Sequence, residues 1–340
     1  MKYLITGHTG FKGAWLSLML SELGHELHGF ALDPQKGSLF ERASLNTLFS
    51  SDTRADIRDL DQLAKEVQRI KPTAVIHLAA QPLVQYGYRN PEETFSTNFV
   101  GTSNLLSATK FLDVLEATLI VTTDKVYENT SKSRGYVETD PLGGLDPYSA
   151  SKASADILTQ SWSHTFPEAP IAIARAGNVI GGGDVSQDRL IPDMIRAFSE
   201  NRPALIRNPS AVRPWQYVLD CLRGYLMLLE GISKNSLRGA WNFGPDRSSC
   251  RPVEEVANLA KGLWSSSASW EHIPSPDSLH EDHFLTLDST KSETGLGWKN
   301  KYDLYTSVKE TVEWERGSLS PSIVSRITRN SVRSFMEYEN

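Results

Sequence analysis

Tyr148 and Lys152 stand four residues apart in Pro147-Tyr148-Ser149-Ala150-Ser151-Lys152, within a stretch of helical spacing over about 147–165. Positions i and i+4 share one helix face, so an ammonium there can sit beside a phenol. A free tyrosine has a pKa of about 10 and is a poor base at neutral pH, but a nearby cation favours its phenolate. Such a pair can take a proton from a sugar hydroxyl while hydride leaves the same carbon. The spacing alone is common on helix surfaces. It gains weight from an apolar run, Ala117 to Thr122, that ends in Thr123-Asp124-Lys125. Thr123 offers a hydroxyl to the same substrate oxygen, or is simply a β-branched strand residue. A plain dehydrogenase or epimerase needs no further acid there. A dehydratase does, because a hydroxyl leaves poorly unless it is protonated, and Asp124 has the right chemistry for that. The competing reading of Asp124-Lys125 is a solvated turn.

A second constellation opens the chain. Gly7-x-x-Gly10-x-x-Gly13 joins an apolar strand to a helix. Glycines in that place let the backbone approach a pyrophosphate, and the helix N-terminus faces the phosphates with free N–H groups and partial positive charge. The spacing is not the commoner G-x-G-x-x-G, so context carries the reading: strand before, helix after, first in the chain. Asp33 follows twenty positions past Gly13, at the end of the second strand. A carboxylate there accepts from adenosine ribose hydroxyls and repels a 2′-phosphate, which favours NAD over NADP. Its alternative is a turn before Pro34. Asp56, ahead of Ile57, is a candidate for the adenine end or a solvated loop acid.

The elements that must hold these groups alternate. Strands are expected at 2–6, 26–32, 74–79, 117–122 and 171–174, with helices at 11–23, about 60–70, 92–110 and 147–165. Such βαβ units make a doubly wound parallel sheet, a Rossmann-type α/β fold with its ligand beyond the C-terminal strand ends. After about residue 176 Pro, Gly and Arg are frequent, and helices are expected at 188–199, 219–230, 252–263 and 304–315. The expected division is a cofactor domain over 1–176, with about 215–240 returning to it. A smaller mixed α/β substrate lobe takes 177–214 and 241–340.

The 340 residues, 39% hydrophobic and 22% charged, suit an ordinary globular protein that needs no disulfide or metal staple. A net charge of −6 argues against a general nucleic-acid binder. Cys221 and Cys250 lack partners at redox or metal spacing and read as reduced thiols. No apolar stretch approaches the roughly 18 residues of a membrane span. The strand-like run starts at Lys2 with no leader-like segment ahead of it, so the expectation is a cytoplasmic protein.

Longer segments carry a resemblance. TGHTGFKG (6–13), HLAAQPLV (77–84), TNFVGT (97–102), TTDKVYEN (122–129), LGGLDPYSASK (142–152), RAGNVIGGGD (175–184), DRLIPD (188–193), IRNPSAVRPWQ (206–216) and WNFGP (241–245) run in order. HEDHFLTLD (280–288) and LGW (296–298) extend them. The chain resembles the extended short-chain dehydrogenases that act on nucleotide sugars and, among them, the CDP-glucose 4,6-dehydratases. Lys125 stands where the dTDP-glucose enzymes carry Glu, and Lys there goes with the CDP-glucose group. That Glu is the usual candidate to remove the sugar C5 proton; Lys125 fills the role only as the neutral amine.

The resemblance implies NAD as cofactor, held also by Phe11, Ile57, Leu78, Ala79, Ala80, Asn98 and Thr122. It implies CDP-glucose as substrate, with Asn178, Arg189 and Arg213 holding the sugar diphosphate, Gln81 and Leu190 as further substrate-binding residues, and Arg207 towards the nucleotide. Guanidinium groups suit phosphate oxygens, although a surface ion pair is the alternative for each Arg. The implied reaction is an internal redox cycle: oxidation at C4, loss of water across C5 and C6, and hydride return to C6. Its product is a precursor of deoxy sugars such as those of lipopolysaccharide O-antigens. The rivals are a nucleotide-sugar 4-epimerase, which needs Tyr148 and Lys152 but not Asp124, and a non-catalytic nucleotide-binding module. The resemblance further implies a homodimer through a four-helix bundle of 92–110 and 147–165. His280 and His283 flank Glu281-Asp282, but the chemistry requires no metal.

Overall fold

The computed structural model describes residues 1–130, 134–273, 285–318 and 320–338. Seven strands form one sheet: β1 Lys2–Thr6, β2 Glu26–Ala31, β3 Ser51–Arg54, β4 Ala74–His77, β5 Ala117–Val121, β6 Ile171–Ala176 and β7 Gly239–Phe243. Their order is β7-β6-β5-β4-β1-β2-β3 and every neighbouring pair is parallel. Helices cover both faces of such a sheet, so its central strands read as unbroken apolar runs rather than alternating ones. β4 and β5 are buried throughout. The chain leaves β1 towards β2 on one side and returns to β4 on the other. That reversal opens a crevice at the C-terminal ends of β1 and β4.

The main helices are α1 Phe11–Glu22, α2 Leu60–Ile70, α3 over residues 91–109, α4 Pro147–Thr165, α5 Leu190–Ser199, α6 Val218–Asn235, α7 Val253–Trp264, α8 Leu304–Gly317 and α9 Pro321–Glu337. Residues 13–20 of α1 are buried on every side, which explains its all-round apolar composition. Asp59 caps α2 by accepting from Gln62 N, and Asp146 caps α4 by accepting from Ser149 N, with Pro147 at the first helical position. α3 is not one regular helix. Ser96–Val100 is a π-helical turn between two α-helical segments, and it carries the fully buried Asn98.

The lobe is narrower than the sequence suggests. Its core joins α5, α7 and one face of α8 through Ile191, Met194, Phe198, Val256, Ala260, Val308 and Val312. Residue 241, the expected start of the second lobe segment, lies inside β7, paired parallel with β6. Trp298, Tyr302, Trp314, Val324, Val332 and Phe335 join the core under the main sheet with Trp15, Leu222 and Phe243. The sheet needs a cover on that face, and the C-terminal segment supplies apolar rings to it. β3 and β7 escaped the sequence reading because Ser51-Asp52-Thr53-Arg54 is polar and Gly239–Phe243 opens on glycine and is broken by Asn242.

Candidate active site

A cavity of about 360 Å³ lies over the crevice. Its floor is the first glycine turn. Gly7 has φ +74°, and a Cβ there would lie 2.5 Å from Ala79 N. A Cβ on Gly13 would lie 2.3 Å from Gly7 O, so helix and loop can meet this closely only through glycine. Gly10 caps α1 without a side chain, and no acidic residue stands in the first turn. The first-turn N–H groups are therefore left for an anion. Gly10, Phe11, Asp33, Asp56, Ile57, Leu78, Ala79, Ala80 and Thr122 line the same cavity. Asp56 is held by Arg58, with Nε to Oδ1 at 3.0 Å and Nη2 to Oδ2 at 2.6 Å. The side-chain hydrogen bonds from Arg58 hold its carboxyl below the usual range. The donor set and the glycine cradle fit a dinucleotide diphosphate.

Thr123, Tyr148, Lys152, Asn178 and Arg189 line the cavity too. Thr123 and Asp124 are buried, and the Thr123 hydroxyl donates to Asp124 Oδ1 at 2.9 Å. The same hydroxyl bears on the Tyr148 phenol, whose pKa it pulls down. Burial pushes the Asp124 carboxyl up against the opposing pull of Lys125, Thr123 and Lys12. The i, i+4 pairing with Lys152 does not by itself lower the Tyr148 phenol. Burial pushes the phenol up to about 12, with the Thr123 bond opposing and Asp124 adding to the rise. Burial also brings Lys152 down to about 8, helped by Lys12, while Asp156 opposes. The Lys152 ammonium donates to Val121 O at 2.7 Å. Enclosure in protein outweighs the i, i+4 pairing.

Other expected ligands are engaged elsewhere. Asn98 accepts from Gln81 N at 2.9 Å and donates to Ser151 Oγ at 2.9 Å, so it shapes the loop after β4 from below. The Gln81 amide is used on Leu83 within that loop and on Thr94 of α3. The Thr122 hydroxyl turns inward to Asp156 at 3.0 Å. Arg189 reaches Asp184 at 3.5 Å, and Arg207, half-exposed, reaches Asp188 at 3.4 Å. Leu190 starts α5, and Arg213 lies on the short strand Val212–Pro214 with Nη1 on Val212 O at 3.0 Å. Asp124, Lys125, Asn98, Gln81, Leu190, Arg207 and Arg213 are not among the cavity-lining residues. His280 and His283 lie outside the described residues.

Two groups were missed in the sequence. Lys12 lines the cavity, with Nζ on Tyr225 Oη at 3.2 Å. Its signal was a lone cation inside an apolar helix start. Asp156 stands one turn beyond Lys152, and Arg175 forks onto it at 2.9 and 2.8 Å with both side chains buried. The pair ties α4 to β6, and so sets where Tyr148 and Lys152 stand.

The family described as NAD dependent epimerase/dehydratase matches residues 3–244. The CDP-glucose 4,6-dehydratase of Salmonella typhimurium is 39% identical over 346 residues, covering 98% of this chain and 96% of that one. The dTDP-glucose 4,6-dehydratase 1 of Escherichia coli is 28% identical, covering 92% of each. Among solved structures, the UDP-glucose 4-epimerase of Thermotoga maritima with UDP-glucose superposes with a TM-score of 0.83 at 23% identity, covering 93% of this chain and 99% of that one. The dTDP-glucose 4,6-dehydratase of Bacillus anthracis in complex with NAD gives 0.79 at 23%, covering 93% and 96%. These two structures share the fold. The family match over most of the chain and the 39% relative place it: the chain belongs to the NAD dependent epimerase/dehydratase family.

Proposed function

We propose that this cleft converts CDP-glucose to CDP-4-keto-6-deoxyglucose by an internal redox cycle. The observation that carries the reading is the buried Asp124 carboxyl bonded to the Thr123 hydroxyl, two groups that both bear on the Tyr148 phenol. A second acid beside the base serves elimination and has no use in epimerisation. Gly7, Gly10, Gly13 and Asp33 would hold NAD across the crevice. When bound, NAD supplies a hydride acceptor and later a donor, with a positive ring charge that favours the Tyr148 phenolate.

Tyr148 takes the C4 hydroxyl proton, and Thr123 orients that oxygen. A ketone at C4 acidifies the C5 hydrogen, whose proton passes to a neighbouring base; Lys125 is the adjacent candidate. Asp124, whose hold on a proton is strengthened by burial, protonates the C6 hydroxyl so that it leaves as water. Arg189, Asn178 and Arg213 are assigned to the diphosphate, with Arg207 at the nucleotide rim. The 39% relative over nearly the whole chain supports cytidine.

Substrate deuterated at C4 tests the cycle. The label should appear at C6 of the product, and its absence there would overturn the reading. CDP-, dTDP-, GDP- and UDP-glucose assayed side by side should favour the first. The assignment also includes a homodimer through α3 and α4, supported by the exposed Phe95, Phe99, Val100 and Ile157. A monomer by light scattering contradicts it. A cytoplasmic location is assigned with it, checked by cell fractionation; among the described residues no helix is long and apolar enough to cross a membrane.

A further inference from the structure

One wall of the cleft depends on a carboxylate that the chemistry above does not use. Gly183, Asp184, Val185 and Ser186 line the cavity. Three elements hold this stretch. Trp15 Nε1 of α1 donates to Gly182 O at 3.0 Å, and Leu39 N donates to Gly183 O at 3.3 Å. Glu315, near the end of α8, accepts from Gly183 N–H at 2.7 Å. Its other oxygen accepts from Arg42 Nη1 at 3.3 Å, and that guanidinium lies 4.8 Å from the centre of the Trp314 ring. The Glu315 side chain is only 11% exposed.

The wall leads directly to the phosphate side. Asp184 Oδ1 accepts from Ser186 N at 3.0 Å, and Asp184 Oδ2 pairs with Arg189 Nη1 at 3.5 Å. One short stretch thus carries a wall of the cofactor cleft and, through Arg189, the guanidinium assigned to the sugar diphosphate. A carboxylate on an enclosed backbone N–H is a charge-assisted bond, and removing the acceptor leaves that N–H unpaired.

We propose that Glu315 is a positioning residue whose bond to Gly183 sets the 183–186 wall, so that the cofactor and diphosphate sites form together. This rests on reading the cleft as the NAD and sugar-nucleotide site. Glu315→Gln and Glu315→Met test it. Both remove the charge facing Arg42 at similar volume, but only glutamine keeps an oxygen for Gly183 N–H. Binding of NAD to the whole protein is measured by tryptophan quenching, and kcat and KM with CDP-glucose at saturating NAD.

The methionine variant should raise both the NAD Kd and the CDP-glucose KM about tenfold, with kcat within about twofold. The glutamine variant should stay within about threefold of wild type. Arg42→Met, which leaves the acceptor in place, should also bind NAD within about threefold. Wild-type binding by Glu315→Met overturns the proposal. So does an equal loss in the glutamine variant, or a loss confined to kcat. A tenfold loss in Arg42→Met overturns it as well, and that arm decides the matter if the methionine variant does not fold. A wild-type protein that binds no NAD sinks the cofactor reading, and this proposal with it.

Discussion

Asp124→Asn separates the two halves of the proposed chemistry. Asparagine keeps the volume and the Oδ1 that accepts from the Thr123 hydroxyl at 2.9 Å. Thr123 and Tyr148 therefore keep their places, and oxidation at C4 stays possible. What is lost is an acidic proton. Burial outweighs Lys125, Thr123 and Lys12 in raising the Asp124 carboxyl, so it holds that proton to higher pH than a free aspartate. A positioned general acid contributes typically about 10²–10⁴-fold, or roughly 3–5 kcal/mol of barrier. Steady-state kcat should fall by about that factor, while NAD and CDP-glucose bind within about threefold of wild type. Quenched single turnovers should show the 4-keto glucose accumulating with its C6 hydroxyl intact. Full turnover by the variant refutes the dehydratase role of Asp124. Loss of the C4 oxidation as well would place Asp124 in the first step and refute the division of labour.

The remaining tests probe the scaffold. Gly13→Ala puts a methyl 2.3 Å from Gly7 O and 2.7 Å from His8 Cα, so NAD affinity measured by calorimetry should fall at least about tenfold; unchanged affinity would contradict the close approach. Asp156→Asn leaves the buried Arg175 without its counter-charge and should cost about 3–5 kcal/mol in urea unfolding, with a loss under about 1 kcal/mol counting against it. His77 is fully buried between Thr6 and Thr102, and burial, then Lys152, lowers its pKa to about 3. Its contribution is fully present above the unfolded pKa of about 6.5 and is lost as pH falls towards the folded one, so the stability gap between wild type and His77→Asn should shrink by up to about 1.4 kcal/mol per unit from pH 6 to 4. A gap constant across that range would show that His77 does not resist protonation.

How far the residues announced this arrangement depends on the range of the interaction. Buried parallel strands must be apolar throughout, so β1, β4, β5 and β6 stood out as runs. The glycine turn was legible because close backbone approach admits one residue type. Ser51-Asp52-Thr53-Arg54 carries no such mark, because β3 is an edge strand recruited by its pairing with β2. The π turn at Ser96–Val100 was equally hidden, since it is set by contacts that bring Asn98 to Gln81 and Ser151. The return of the chain end to the main core follows from where Trp314 and Phe335 find apolar partners, which only the folded chain decides.

The same distinction governs the catalytic pair. Spacing alone put a cation beside a phenol, and that would lower the Tyr148 pKa. Spacing is blind to desolvation, which acts on each group separately and favours the neutral form of both. The enclosed site holds the phenol near 12 and the amine near 8, with Lys152 Nζ bonded to Val121 O at 2.7 Å. A phenol near 12 is a poor base towards a sugar hydroxyl, while an amine near 8 still carries most of its charge at neutral pH. Further positive charge favours the phenolate, and a nicotinamide ring held in this cleft would bring it together with the hydride acceptor. Proton removal and hydride loss at C4 would then be coupled, because the group that takes the hydride also carries the charge that favours the phenolate.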